Sequence, residues 1–171
     1  DSRTINDGTI FLTAISSGAN ISIENAGQSL GKFTITGGDG SDNLTVGTGA
    51  DIIRGGGGDD IITIAMAGDG NSDTIDGGDG ADVLKLSTGK HTFGTDDNLK
   101  NIETVQTHAS GSEVILTGQT EAFTIIGGAA ADIITGGSAA DIISGGAAAD
   151  TITGSGGADI IDGGGGADII I

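Results

Sequence analysis

Apolar residues along the chain fall in short clusters separated by polar, glycine-rich runs, and the clusters recur about every nine residues. Ile133-Ile134-Thr135, Ile142-Ile143-Ser144, Thr151-Ile152-Thr153 and Ile160-Ile161-Asp162 show this rhythm most clearly. Clusters this short cannot build the continuous stripe of an amphipathic helix, whereas three β-formers in a row make a short strand. Alternation sends the middle residue of each triplet inward and its neighbours outward. The pattern therefore predicts Ile134, Ile143, Ile152, Ile161 and Ile170 in a core, with Ile133, Ile142, Ile160 and Ile169 on the outer face. Ile10-Phe11-Leu12, Ile21-Ser22-Ile23 and Phe33-Thr34-Ile35 keep similar spacing near the start. Thr104-Val105, Val114-Ile115-Leu116 and Phe123-Thr124-Ile125 do so in the middle. One continuous solenoid is the expectation, with a separate middle domain as the alternative and a turn or lateral excursion at Asp96 to Lys100.

The polar runs are themselves repetitive. From Gly127 the chain reads GGAAADIIT, GGSAADIIS, GGAAADTIT, GSGGADIID and GGGGADIII without a gap. This places Asp132, Asp141, Asp150, Asp159 and Asp168 nine residues apart. An earlier block reads GGDGSDNLT from Gly37, VGTGADIIR, GGGGDDIIT and, after a four-residue insertion at Ile64 to Ala67, GDGNSDTID and GGDGADVLK. Asp42, Asp51, Asp60, Asp73 and Asp82 hold the same sixth position there. Adjacent glycines followed by aspartate permit positive φ and a tight turn, and they cannot sustain a helix.

These units resemble the nonapeptide GGxGxDxUx (U, a large apolar residue) of the RTX, or hemolysin-type, calcium-binding family. The resemblance implies an all-β fold, a right-handed parallel β-roll or β-helix solenoid, in which six residues turn and three form a strand. Two units then make one coil. The implied organisation is non-consensus coils over 1–36, a first repeat block over 37–85, non-consensus coils over 86–126 and a second block over 127–171. Ala130, Ala139 and Ala148 stand where the fourth-position glycine is expected, and left-handed φ is the expectation for all three. Val46 and Ser155 also replace turn glycines.

Charge sharpens the picture. The 171 residues carry 24 acidic side chains against six basic ones, a net charge of −18, and 20 of the acids are aspartate. Such a surface repels phosphate backbones and anionic membranes, which argues against nucleic-acid binding. No apolar run approaches the roughly 20 residues that span a bilayer, so membrane insertion is not expected. With 35 glycines, no cysteine and aromatics at 2%, neither disulfides nor an aromatic-anchored core is available. If successive turns alternate flanks, every second aspartate stacks about 4.8 Å above the last. Two bare carboxylates at that spacing repel by roughly 0.9 kcal/mol in water and about 3.5 kcal/mol at an effective dielectric near 20. A file of them calls for a hard, oxygen-seeking cation.

By the resemblance, the ligands are the ten sixth-position aspartates together with turn carbonyls. In the first block these carbonyls belong to Gly37, Gly38, Gly40, Gly55, Gly56, Gly58, Gly77, Gly78 and Gly80. In the second they belong to Gly127, Gly128, Gly136, Gly137, Gly145, Gly146, Gly163, Gly164 and Gly166. Six or more Ca2+ ions are implied, one between each pair of aspartates stacked on the same flank. Turn capping is the plainer role for these aspartates. Asp39, Asp59 and Asp79 lie inside turns, while Asp69 and Asp76 are expected to face solvent. His91 and His108 are expected to be ordinary surface histidines. No HExxH helix, GxSxG elbow or phosphate loop is present, so an enzyme is not expected.

The alternation of repeat blocks with plain β-coils is similar to type-I-secreted bacterial surface-layer (S-layer) proteins. That likeness implies a secreted, cell-surface structural segment whose partners are calcium and either further copies in a lattice or neighbouring domains. The chain start without methionine and its stop in a strand-like run suggest a piece of something longer. A non-catalytic calcium-binding module of a type-I-secreted toxin, protease or adhesin is the alternative.

Overall fold

The computed structural model describes residues 8–11, 18, 20–23, 32–65 and 73–171. Its strands are β1 (Gly8–Phe11), β2 (Asn20–Ile23), β3 (Phe33–Gly38), β4 (Asn43–Val46), β5 (Ile52–Gly57) and β6 (Ile61–Ile64). Then follow β7 (Thr74–Asp79), β8 (Val83–Leu86), β9 (Gly89–Thr92), β10 (Leu99–Lys100), β11 (Thr104–Gln106) and β12 (Ser112–Ile115). The series ends with β13 (Thr124–Ile126), β14 (Ile133–Thr135), β15 (Ile142–Ser144), β16 (Thr151–Thr153), β17 (Ile160–Asp162) and β18 (Ile169–Ile170). The expected strand residue Leu12 and the turn residue Asp69 lie outside the described residues.

Every pairing is parallel and joins strands of successive coils. One long sheet runs β2-β4-β6-β8-β11-β13-β15-β17 along the whole solenoid. The opposite face is shared by β1-β3-β5-β7-β10 and β9-β12-β14-β16-β18. Because β11 pairs with β8, while β12 and β13 pair with β14 and β15, the plain coils stack directly on the repeat coils at either side. The handover between the two shorter sheets occurs where β9 and β10 both lie in the coil joining β8 to β11. Asn98 closes the turn between them, donating its amide to the Thr95 carbonyl at 3.0 Å.

Register aligns like with like. In the long sheet, Leu44, Ile62, Leu84, Val105, Ile125 and Ile143 stand opposite one another in turn, all buried. Ile35, Ile53, Ile75 and Leu99 form the corresponding file in the first short sheet. In the first block the strands β3, β5 and β7 reach six residues because the turn glycines continue the pairing, Gly38 with Gly56 and Gly56 with Gly78.

Two expectations need correction. His91 is fully buried, not a surface group: it occupies the inward file of β9, opposite Val114, and hydrogen-bonds the Ser87 carbonyl through Nε2 at 3.0 Å. Burial holds its imidazole below the ordinary histidine value. His108 is exposed, as expected. Ile161 and Ile170 face inward but are only half-buried and 53% exposed, because the last coils are covered from one side only. Asp76 is half-buried on the outer face of β7, where it accepts a hydrogen bond from Asn101 Nδ2 at 2.7 Å.

Candidate metal centre

The sixth-position aspartate immediately before a repeat strand sits at the corner of a coil, where the turn ends, and its side chain folds back over its own turn. Asp42, Asp60, Asp82, Asp141 and Asp159 precede strands of the long sheet. Asp51, Asp73, Asp132, Asp150 and Asp168 precede strands of the opposite face. The sixth-position aspartates thus form files on two flanks. Eight of them are at most 1% exposed, while Asp159 and Asp168 in the terminal coils are half-buried.

Within a file each carboxylate is tied to the coil before it. The Asp42 amide donates to Asp60 Oδ1 at 2.7 Å, and the Asp60 amide to Asp82 Oδ1 at 2.7 Å. On the other flank the Asp51 amide donates to Asp73 Oδ1 at 2.8 Å. In the second block Asp132 donates to Asp150, Asp141 to Asp159 and Asp150 to Asp168 at 2.8–3.0 Å. Phe33, Ser112 and Phe123 occupy the equivalent corner and donate their amides to Asp51, Asp132 and Asp141 respectively, so these three files begin on an uncharged residue.

That arrangement consumes one oxygen per carboxylate. The Oδ2 atoms of Asp60, Asp82 and Asp150 are buried and receive no hydrogen bond. Where they point is clear from the first glycine of each turn. A Cβ on Gly55 would collide with both Asp60 Oδ2 and the Gly77 carbonyl, which lie on the same side of this glycine. Gly37 faces Asp42 Oδ2 and the Gly55 carbonyl in the same way, and Gly145 faces Asp150 Oδ2 and the Gly163 carbonyl. Second-position carbonyls point in the opposite direction, Gly38 toward Gly56, Gly56 toward Gly78 and Gly146 toward Gly164. At each of these first glycines a carboxylate oxygen of one coil and a peptide carbonyl of the next therefore lie against the same Cβ-sized gap.

Electrostatics records the same crowding. Burial pushes Asp60 up to about 6; the Asp42 amide opposes the shift, and the charges of Asp82 and Asp42 add to it. Asp82 is raised by burial with Glu103 as the leading neighbouring charge, and Asp150 by burial with Asp132 and Asp168. Buried acids without donors on their free oxygens suit a cation. The donor set is all oxygen, carboxylate plus peptide carbonyl, which fits calcium in its irregular coordination of six to eight ligands. Nitrogen- or sulfur-seeking metals find nothing here: His91 is in the core, and the chain has no cysteine. Among the described residues no three acidic or histidine side chains converge on a point, so the remaining ligands of any ion would come from the backbone.

The turns are not all alike. Left-handed φ occurs at Ala148, at 76°, but not at Ala130 or Ala139, which corrects the expectation for those two. Gly128 and Gly137 likewise avoid positive φ, and each donates its amide to the carboxylate of its own turn, Asp132 Oδ2 at 2.8 Å and Asp141 Oδ2 at 2.9 Å. In these two turns the plainer turn-capping role is realised by the same oxygen that is unpartnered in Asp60.

A family model described as the RTX calcium-binding nonapeptide repeat matches the chain in four copies, over residues 36–63, 66–89, 124–152 and 135–170. The chain belongs to the RTX calcium-binding nonapeptide-repeat family. The matched segments cover more than half of the molecule and coincide with the aspartate files. RTX repeats bind calcium, and their β-roll is a structural fold, generally non-catalytic, of proteins that are typically type-I-secreted and extracellular. No curated protein matches the chain. No described helix is long and apolar enough to cross a membrane.

Sequence reasoning overlooked Glu103, which takes the next corner after Asp82 and accepts the Asp82 amide through Oε2 at 2.7 Å. Its signal was present: an acid directly before the β-forming run Thr104-Val105, in the position an aspartate holds elsewhere.

Proposed function

We propose that this chain is a structural, calcium-clamped segment of a secreted bacterial S-layer protein, folding and assembling when it meets extracellular calcium. The ten sixth-position aspartates and the turn carbonyls are its ligands in this reading, with an ion between each same-flank pair. One observation carries it: the buried carboxylates of Asp60, Asp82 and Asp150 each keep a second oxygen without a donor, set beside a backbone carbonyl of the adjoining coil. In the low-calcium cytosol the files repel and the chain stays expanded, a form suited to a narrow secretion channel. Outside, calcium near the roughly 0.1–1 mM range of extracellular modules fills the sites.

The surface-layer part rests on the outer faces. Ile142 and Ile160 are neighbours across the long sheet, 52% and 66% exposed, and Ile133 and Ile169 flank Thr151 on the opposite face. Apolar stripes on an acidic solenoid suit side-by-side packing once bound cations have reduced the repulsion. Circular dichroism and light scattering through an EGTA-to-calcium titration test both halves. The expected result is a β-signature and growing scattering that appear together with calcium. A full β-signature in EGTA refutes the folding switch. A calcium-loaded chain that stays monomeric at high concentration refutes the lattice and favours a calcium-binding module of a secreted toxin, protease or adhesin.

A further inference from the structure

We infer that the acidic file on the Asp82 flank runs one coil beyond the repeats, and that Glu103 and the Asn101 carbonyl complete a further divalent-cation site with Asp82. This site rests on the reading of stacked aspartates as calcium ligands, and it lies where no nonapeptide unit exists.

Two geometric series reach this point without a break. Along the file, the amide of Asp42 donates to Asp60, that of Asp60 to Asp82, and that of Asp82 to Glu103, each at 2.7 Å. Along the turns, Gly37 faces the Gly55 carbonyl, Gly55 faces the Gly77 carbonyl, and Gly77 faces the Asn101 carbonyl. Asn101 and Glu103 therefore stand in for the first and sixth residues of a turn that the sequence does not contain. The independent sign of a ligand is Asp82 itself. It is 0% exposed, and its Oδ2 receives no hydrogen bond and lies on the same side of Gly77 as the Asn101 oxygen.

The residue types suit the shortened corner. A repeat turn spends six residues from first glycine to aspartate, but only Ile102 separates Asn101 from Glu103. The extra methylene of glutamate restores the reach that the missing residues remove. Asn101 adopts φ 52°, a left-handed conformation that asparagine tolerates better than most residues. It is held there by its amide on the Glu121 carboxylate at 3.0 Å and by its side chain on Asp76 at 2.7 Å. Phe123 takes the following corner, which ends the acidic file. An ion here would pin the last repeat coil to the first plain coil.

The test compares the full wild-type chain with Glu103→Gln, which keeps an acceptor for the Asp82 amide and removes the charge. Calcium titration followed by native mass spectrometry should show one ion fewer in the variant at sub-millimolar calcium. Calorimetry should show one site weakened at least tenfold and the others unchanged. An unchanged count and affinity overturn the proposal. A wild-type chain that binds no calcium overturns instead the reading of the aspartate files. Crystals of the calcium-loaded wild type decide the matter without a variant. An ion within about 2.3–2.6 Å of the Glu103 carboxylate supports the site. A Glu103 that only accepts the Asp82 amide, with no ion beside it, refutes it.

Discussion

Replacing Ala148 by glycine should stabilise the protein, whereas the same replacement at Ala130 should destabilise it. All three alanines hold the fourth position of a turn, yet only Ala148 carries left-handed φ, at 76°. That conformation costs a residue with a Cβ roughly 1–2 kcal/mol that glycine does not incur. Glycine in turn loosens the unfolded chain by about 0.4–1 kcal/mol wherever it is introduced. Ala148→Gly thus combines both effects and should gain on the order of 0.5–1 kcal/mol. Ala130→Gly and Ala139→Gly experience only the second and should lose about 0.4–1 kcal/mol. The unfolded-state contribution is common to the substitutions, so the difference between Ala148→Gly and Ala130→Gly isolates the backbone strain at about 1–2 kcal/mol. With a urea slope near 2 kcal/mol/M, unfolding midpoints of the two calcium-saturated variants should differ by about 0.5–1 M. Equal midpoints would show that the turn at Ala148 relaxes without strain, and the assignment of distinct turn conformations would be wrong.

Other consequences follow from the carboxylates and glycines. Calcium must displace the Gly128 and Gly137 amides from Asp132 and Asp141, but meets a bare Oδ2 at Asp60 and Asp82, so the first block should bind more tightly. Calorimetry that finds the second block filling first would contradict this. Asp60 titrates near 6 in the metal-free fold against 3.8 ordinarily, so that fold binds more protons than the unfolded chain between those values. Stability of the metal-free form should therefore fall as pH rises from about 4 to 7, while calcium affinity should rise over the same span. Since the metal-free chain is expanded at neutral pH in this reading, circular dichroism in EGTA should show the β-signature growing as pH falls from about 7 to 4. Calcium titrations check the opposite slope, and parallel slopes would refute the linkage. Gly55→Ala should cost about 1–3 kcal/mol and weaken calcium binding, because its Cβ meets the Asp60 carboxylate and the Gly77 carbonyl at once. Gly57→Ala, whose Cβ has no neighbour closer than 3.8 Å, should stay within about 1 kcal/mol of wild type, and equal losses at the two sites would refute the crowding.

Much of this architecture is local and therefore legible in one dimension. A turn of glycines and aspartate followed by three β-formers repeats its own conformation, and the inward placement of Ile134, Ile143 and Ile152 needs only strand alternation. The same alternation, applied to Gly-Lys-His-Thr-Phe, would have sent His91 and Phe93 inward, as the structure has them. Polarity, rather than period, made His91 look like a surface residue.

What tertiary structure decided lies between coils. A carboxylate in this roll meets partners 18 to 22 residues away, and which atoms meet is set by the register of stacked turns. Two alanine turns close on their own aspartates while a third, of nearly the same sequence, does not. Neighbouring coils, not the residues of the turn, choose between those states. Glu103 joins the aspartate file across a 21-residue coil that no nine-residue period marks, because the hydrogen-bonding direction counts coils and takes no account of residues between them.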